Sequence, residues 1–134
     1  MKTADLEGPL LDYWVAKAQG LKLVKCENGY WLVYAPEPMI LGIDRSAALN
    51  PAVRYSPSTS WAQAGPIIEA EKIDLIHYGE DGYKGGLWEA VRRIHTHYID
   101  QRPGDATGGP TPLIAAMRAF VAAKFGDEIA ETPP

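Results

Sequence analysis

Apolar residues near the start of the chain recur at the spacing of an α-helix. The stripe consists of Leu10, Leu11, Trp14, Val15 and Ala18. Gly8 and Pro9 suit the first turn, because a proline at the first helical position loses no hydrogen bond that the helix needs, and Gly20 suits the end. The pattern predicts a helix between these glycines, with Tyr13 and Lys17 off the stripe and exposed.

The next segments predict a β-hairpin followed by a long irregular stretch. Residues 21–26 and 30–34 flank Asn28 and Gly29, a pair that tolerates the positive φ angles of a tight turn. Prolines and a glycine then interrupt residues 35–60 too often for a long helix or strand. A loop of this length in a small domain is uncommon and is often functional.

Two further elements are expected before the glycine-rich middle of the chain. Ser60 is a good N-cap for a second helix, and Pro66 predicts either a kink or a helix that begins at the proline itself. Residues 73–78 form a short β-rich run, and residues 79–87 are predicted to be a loop. Residues 87–98 fit both helical periodicity and strand alternation, so the pattern leaves both open.

The last helix is the clearest element in the pattern. Thr111 is predicted to cap it, Pro112 lies in its first turn, and Gly126 ends it. Its buried stripe is predicted to contain Leu113, Ile114, Met117, Phe120, Val121 and Phe125. From Asp127 onward the sequence is typical of a loose acidic tail.

The composition indicates one globular domain. Of 134 residues, 46% are hydrophobic and 22% are charged, which is sufficient for one apolar core. We therefore expect a single α/β domain over residues 1–128 and a flexible tail over residues 129–134. The single cysteine, Cys26, excludes an intramolecular disulfide and fits a reducing compartment such as a cytoplasm. No segment resembles a secretion signal or a membrane span, so we expect no membrane partner.

A glycine-rich segment before the last helix imitates a phosphate-binding loop. Residues 104–111 place glycines ahead of a helix start, but Pro110 stands where such a loop needs a lysine to reach the phosphates. Nucleotide hydrolysis is therefore not expected. The free N–H groups at this helix start leave anion binding open, and the plainer interpretation is a glycine-rich turn with an N-cap.

A second group of polar and aromatic residues lies at residues 55–61. Hydroxyl groups in a row before a helix usually cap its free N–H groups, and tryptophans usually anchor a core. The alternative is a ligand pocket formed with the glycine-rich segment. The candidate ligand-binding residues are Tyr55, Ser56, Ser58, Trp61, Thr107, Gly108, Gly109 and Thr111.

Residues that often carry catalysis or metal binding do not form a recognised pattern here. The three histidines have no cysteine pair or carboxylate motif at metal-site spacing. Cys26 beside a hairpin turn has no helix dipole to lower its pKa. We therefore expect no catalytic residue, no metal and no cofactor.

One basic cluster is a candidate nucleic-acid surface. It consists of Arg92, Arg93, His95, His97 and Arg102, and the three arginines are the candidate nucleic-acid-binding residues. The net charge of −4 argues against broad binding to nucleic acid, for which basic surfaces supply most of the affinity. An ordinary solvated face is therefore the favoured interpretation of these residues.

Three segments together resemble a family of bacteriophage proteins. Residues 11–20, 55–69 and 109–118 are similar to the NinX-type phage proteins, and more broadly to phage "ABA sandwich" domains. The resemblance implies a phage or prophage origin, a sheet sandwiched by helices, and the strand interpretation of residues 88–94. It implies no particular activity. Residues 35–54 and 95–105 are longer or more elaborate than the family pattern.

The fold class that we predict is α+β, with a central, mainly antiparallel sheet sandwiched by helices. The first and last helices should share one face, and the second should cover the other face or an edge. For function we expect a small accessory protein that binds a host or phage protein. The alternatives are the small-ligand or anion pocket, which could be enzymatic, and weak nucleic-acid binding. Homo-oligomerisation is left open.

Overall fold

Three helices and six strands make up the part of the chain that the computed structural model describes, which is residues 1–27, 30–34, 52–79, 87–92 and 106–130. The helices are α1 (Gly8–Ala18), α2 (Trp61–Ala70) and α3 (Pro112–Phe125), with a short 3₁₀ turn at Thr3–Asp5. The strands are β1 (Leu23–Glu27), β2 (Tyr30–Tyr34), β3 (Ala52–Tyr55), β4 (Ile73–His77), β5 (Trp88–Arg92) and β6 (Ala106–Gly109).

The described strands form two antiparallel sheets of three strands, in the orders β1-β2-β3 and β4-β5-β6. The α+β class with antiparallel pairing is thus confirmed, although these strands do not join in one central sheet. Helix α1 packs against β2 and against α3, and α3 packs against all three strands of the second sheet. The first and last helices therefore lie side by side and cover different sheets.

Helix α1 is buried more widely than its apolar stripe indicates. Tyr13, which we expected to be exposed, is only 3% exposed. Its ring lies 5.2 Å from the ring of Trp14 and 5.1 Å from the ring of Trp31 in β2. The expectation was wrong because a second layer, the first sheet, covers this face of the helix. Lys17 is exposed as expected.

Most predicted elements are confirmed at their predicted places. The hairpin is β1 and β2, and residues 88–92 form a strand, as the family resemblance implied. Helix α2 begins at Trp61 and contains Pro66 within it, so the alternative start at the proline is wrong. The predicted caps are also present, because the side chain of Ser60 accepts a hydrogen bond from Gln63 N–H and that of Thr111 accepts one from Ile114 N–H.

Two strands were not predicted. Strand β3 lies inside the stretch that we predicted to be irregular because of its prolines. Strand β6 lies inside the segment that we interpreted as a glycine-rich turn. In β6, Gly109 pairs with Trp88 of β5. Glycine is a poor strand former, but a Cβ atom at position 109 would lie 2.8 Å from the backbone nitrogen of Ala115. Glycine is therefore needed here so that α3 can approach the strand.

Substituting Gly109→Ala should destabilise the protein by about 1–3 kcal/mol, the usual cost of forcing an extra carbon into a packed site. The neighbouring Gly108→Ala substitution is the matched control, because its Cβ atom would meet only the carbonyl oxygen of Trp88 at 3.6 Å. Urea denaturation of the two variants measures the difference. Equal stability of both variants would show that α3 moves freely away from β6.

The two ends of the described chain are hydrogen-bonded to each other. Met1 and Ile129 exchange two backbone hydrogen bonds, and Thr3 N–H donates to the carbonyl of Asp127. The Thr3 hydroxyl also donates to the carbonyl of Gly126 at 2.7 Å. We predicted a loose tail from Asp127 onward, but Asp127 and Ile129 are held against the fold by these hydrogen bonds. Residues 131–134 of that tail lie outside the described residues.

A buried arginine ties three parts of the fold together. Arg118 in α3 donates through Nε to the carbonyl of Leu6 at 2.6 Å and through Nη1 to the carbonyl of Gly108 at 3.1 Å. Burial lowers the pKa of its guanidinium, while the negative charges of Glu7 and Asp5 act in the opposite direction. The segment before α1, the strand β6 and the helix α3 are therefore joined through one side chain.

Phe125 at the end of α3 is less buried than predicted. We placed it in the buried stripe, yet 42% of it is exposed. Its ring still meets the ring of Trp14 at a centroid distance of 5.4 Å. The helix extends beyond the layer that covers its middle, so its last turn is only partly enclosed.

Candidate functional site

A groove of about 440 Å³ opens between strand β3 and helix α2. Its apolar lining residues are Leu21, Val53, Ala62, Pro66, Ile67 and Ala70. Its polar lining residues are Gln19, Tyr55, Ser60 and Gln63. Within the described residues, no charged side chain lines it. A volume of this size is typical of pockets that hold a small molecule or a few side chains of a partner, roughly 300–1,000 Å³.

Gln63 holds the two walls of the groove together. Its Oε1 accepts a hydrogen bond from Ser56 N–H at 2.7 Å, and its Nε2 donates to the carbonyl of Arg54 at 2.6 Å. A glutamine three residues after a serine N-cap is the spacing of a capping box. Here the carboxamide does not bond to the N-cap residue. It is hydrogen-bonded to the end of β3 and so connects this strand to α2.

The turn between β3 and α2 is hydrogen-bonded to helix α1. Ser58 is buried, and its N–H donates to Asp12 Oδ1 at 2.9 Å. The N–H groups of Thr59 and Ser60 both donate to the carbonyl of Ser56. The start of α2, and with it one wall of the groove, is therefore positioned by a carboxyl group of another helix.

Asp12 is an unusual residue in this position because it is only 5% exposed. Burial raises the pKa of its carboxyl group from 3.8 to about 6, although the hydrogen bonds from Ser58 and the positive charge of Arg54 act to lower it. The carboxyl group does not line the groove. What the arrangement supports is a structural role in which the carboxyl group holds the turn.

Tyr55 is the predicted candidate residue that does line the groove. It is buried, and burial together with the nearby charge of Asp12 raises the pKa of its phenol well above the usual range. The phenol is therefore neutral at any physiological pH. It can take part in a hydrogen bond with a neutral ligand, but it is not an activated base or nucleophile.

The other candidate residues of the first segment have different places. Ser56 and Ser58 stabilise the turn through their backbone N–H groups, which donate hydrogen bonds to Gln63 and Asp12. Trp61 begins α2, next to the lining residue Ala62, and is 56% exposed, so it does not anchor the core as most tryptophans do.

The candidate residues of the glycine-rich segment do not line this groove. Thr107, Gly108 and Gly109 belong to β6, and Thr111 caps α3. The groove thus combines Tyr55 with residues that we did not single out. Of these, only Gln63 had a signal in the sequence, its spacing from Ser60. The others, Gln19, Ser60 and six apolar residues, belong to elements that meet only in three dimensions.

The basic cluster is described only at Arg92. Its Nη2 atom lies 2.6 Å from Glu71 Oε2, and the two side chains are 10% and 17% exposed. This guanidinium is therefore engaged within the fold, between β5 and the end of α2. Arg93 and Arg102 lie outside the described residues.

The described helices and side chains show neither a membrane span nor a metal cluster. No helix among them is long and apolar enough to cross a bilayer. They also contain no group of three or more His, Cys, Asp or Glu side chains placed to hold a metal ion.

Comparison with protein families gives a match over nearly the whole chain. The family model described as Bacteriophage P22, NinX matches residues 2–124. The chain belongs to the phage P22 NinX family. No curated protein matches it. The NinX match includes the three segments on which we based the resemblance, and it includes every residue that lines the groove.

Proposed function

We propose that this NinX-family protein is a non-enzymatic binding module that takes an uncharged, mainly apolar segment of a host or phage protein into the groove between β3 and α2. The observation that carries the proposal is the lining of the groove. It combines apolar side chains with a few neutral hydrogen-bonding groups and, among the described residues, contains no charge.

The absence of charge in this lining favours a neutral occupant. A charged group brought into the groove would lose water and would meet no opposite charge among the described lining residues, which is costly. Apolar side chains gain free energy by leaving water, roughly 25 cal/mol per Å² of buried area. Charge complementarity therefore points to an uncharged segment.

A charge placed in the groove should abolish this binding. The probe is a pool of synthetic octapeptides built from apolar, Ser, Thr and Asn residues, and binding is measured by fluorescence polarisation. Ala70→Glu should weaken binding more than tenfold, because the new carboxylate has to be desolvated by the bound segment. Ala4→Glu adds the same charge at an exposed position away from the groove and should have no effect.

Two results would contradict the proposal. One is that the wild-type protein binds none of the uncharged pool. The other is that Ala70→Glu binds it as well as Ala4→Glu does. Parallel pools of acidic and basic octapeptides check the charge argument, since either of them binding more tightly than the neutral pool would also count against it.

A neutral small molecule is a second candidate occupant. A groove of about 440 Å³ with Tyr55, Ser60, Gln19 and Gln63 as hydrogen-bonding groups is large enough for one. If this second candidate is correct, a screen of neutral small molecules by thermal shift should give hits. Those hits should disappear in Ala70→Glu, while the peptide pool fails to bind.

A further inference from the structure

The carboxamide of Gln63 occupies the place that the backbone of another strand would take beside β3. In the described sheet order, β3 lies at the edge of the sheet and has β2 on one side. Backbone groups of successive residues in an antiparallel pair face alternately toward and away from the partner. Gln63 bonds to the carbonyl of Arg54 and to the N–H of Ser56, two residues apart, so it contacts the side of β3 that faces away from β2.

The pattern of these two bonds is that of strand pairing. One residue of a strand that runs parallel to β3 would donate its N–H to the Arg54 carbonyl and accept from Ser56 N–H. The side-chain carboxamide makes the same pair of bonds, at 2.6 and 2.7 Å. Natural proteins commonly protect or cover edge strands, because unpaired edges pair readily with other chains.

We infer that the partner segment binds as an extended strand whose backbone replaces the Gln63 carboxamide on the edge of β3, with its side chains in the groove. The inference rests on the proposed function and adds the mode of recognition to it. Main-chain hydrogen bonds to a sheet edge supply affinity in such complexes, and pockets beside the edge supply specificity.

The exchange is balanced in hydrogen bonds. The incoming strand restores both bonds to β3, and the displaced carboxamide can turn toward water, since Gln63 is half-buried rather than enclosed. The groove that the strand would enter is next to this edge, because Val53 and Tyr55 of β3 both line it. Gln63 therefore competes with the partner for the same backbone groups.

The test uses Gln63→Met, which keeps the length of the side chain and removes the carboxamide. In the free variant the Ser56 amide proton should exchange with solvent at least tenfold faster than in wild type, as measured by NMR. The uncharged octapeptide pool should bind the variant about tenfold more tightly, because no competing carboxamide has to leave. Binding should restore the protection of the Ser56 amide.

Two controls separate backbone pairing from simple apolar binding. Glu69→Met places a methionine at an exposed position of α2 that does not line the groove, and it should leave both measurements at wild-type values. A second pool, N-methylated at alternate amides in both registers, keeps the side chains but cannot pair along an edge, and it should bind at least tenfold more weakly.

The outcomes distinguish the inference from the proposed function. If the methylated and unmethylated pools bind equally, with loss of binding in Ala70→Glu, the groove is a binding site and strand pairing is wrong. Strand pairing is also wrong if Gln63→Met binds the unmethylated pool no more tightly than wild type does. If neither pool binds either protein, the proposed function fails and the inference fails with it.

Discussion

Replacing Asp12 with asparagine should stabilise the protein at pH 7 by about 2–3 kcal/mol. Burial raises the pKa of this carboxyl group from 3.8 to about 6, so the folded protein holds the proton more tightly than the unfolded chain does. A shift of about two units corresponds to roughly 3 kcal/mol at 1.36 kcal/mol per unit. Asparagine resembles the protonated form, and its oxygen can still accept the hydrogen bond from Ser58 N–H.

The sign of the pH dependence follows from the raised pKa. Well below pH 3.8, Asp12 is protonated in both states and does not lower the free energy of unfolding. As the pH rises from about 4 to 6, the unfolded chain loses this proton first, so the free energy of unfolding falls, and above about pH 6 the loss is complete. The difference in stability between Asp12→Asn and wild type should therefore be small at pH 4 and largest at pH 7.

Urea denaturation of both proteins at pH 4 and pH 7 measures this difference, and comparing them cancels the titration of the other groups. Asp127→Asn removes an exposed carboxylate and should change stability by less than about 0.5 kcal/mol at either pH. A loss of stability in Asp12→Asn at pH 7 would contradict the argument. It would mean that the turn at Ser58 needs a negative charge rather than a neutral acceptor.

Replacing Arg118 with methionine should destabilise the protein by about 3–5 kcal/mol. Methionine fills a similar volume but cannot donate, so the carbonyls of Leu6 and Gly108 lose their guanidinium donor. A hydrogen bond to a charged group contributes roughly 1.5–3 kcal/mol, and an unsatisfied buried acceptor costs about 1–3 kcal/mol. The contact that should be weakened most is the one between the segment before α1 and helix α3, because the shorter of the two hydrogen bonds joins them.

For Arg118→Met, the midpoint of urea unfolding should fall, while the slope of the unfolding free energy against urea concentration should stay the same. Arg118→Lys keeps the charge but cannot span both carbonyls, so its loss should be intermediate. Lys124→Met makes a similar change at an exposed position of the same helix and should be nearly neutral. A loss below 1 kcal/mol in Arg118→Met would show that the cost of burying the guanidinium offsets its hydrogen bonds.

The elements that sequence alone predicted are those with strong local signals. The caps Ser60 and Thr111 and the helix end at Gly126 depend on backbone groups within a few residues, so a local pattern is sufficient to find them. Strands β3 and β6 were missed because their local sequences carry no strand signal. One lies in a stretch broken by prolines and the other contains two glycines, and both are strands because neighbouring strands pair with them.

The candidate site was only partly predictable. Tyr55 was singled out from its polar and aromatic neighbours, and it does line the groove. The glycine-rich segment with Thr107 and Thr111, which we grouped with it as one pocket, does not line the groove. The groove consists instead of side chains from the end of α1, from β3 and from α2.

The sequence by itself determined the α+β class, the family, the places of α1 and α3 and the hairpin, because these depend on periodicity, capping residues and turn residues that act over short distances. Only the tertiary structure decided that Asp12 and Tyr13 are buried, that Gln63 bonds to the edge of β3, and that the groove has a neutral lining. Each of these depends on which elements pack together, and burial then changes the energy of a carboxyl or amide group that would be ordinary in water.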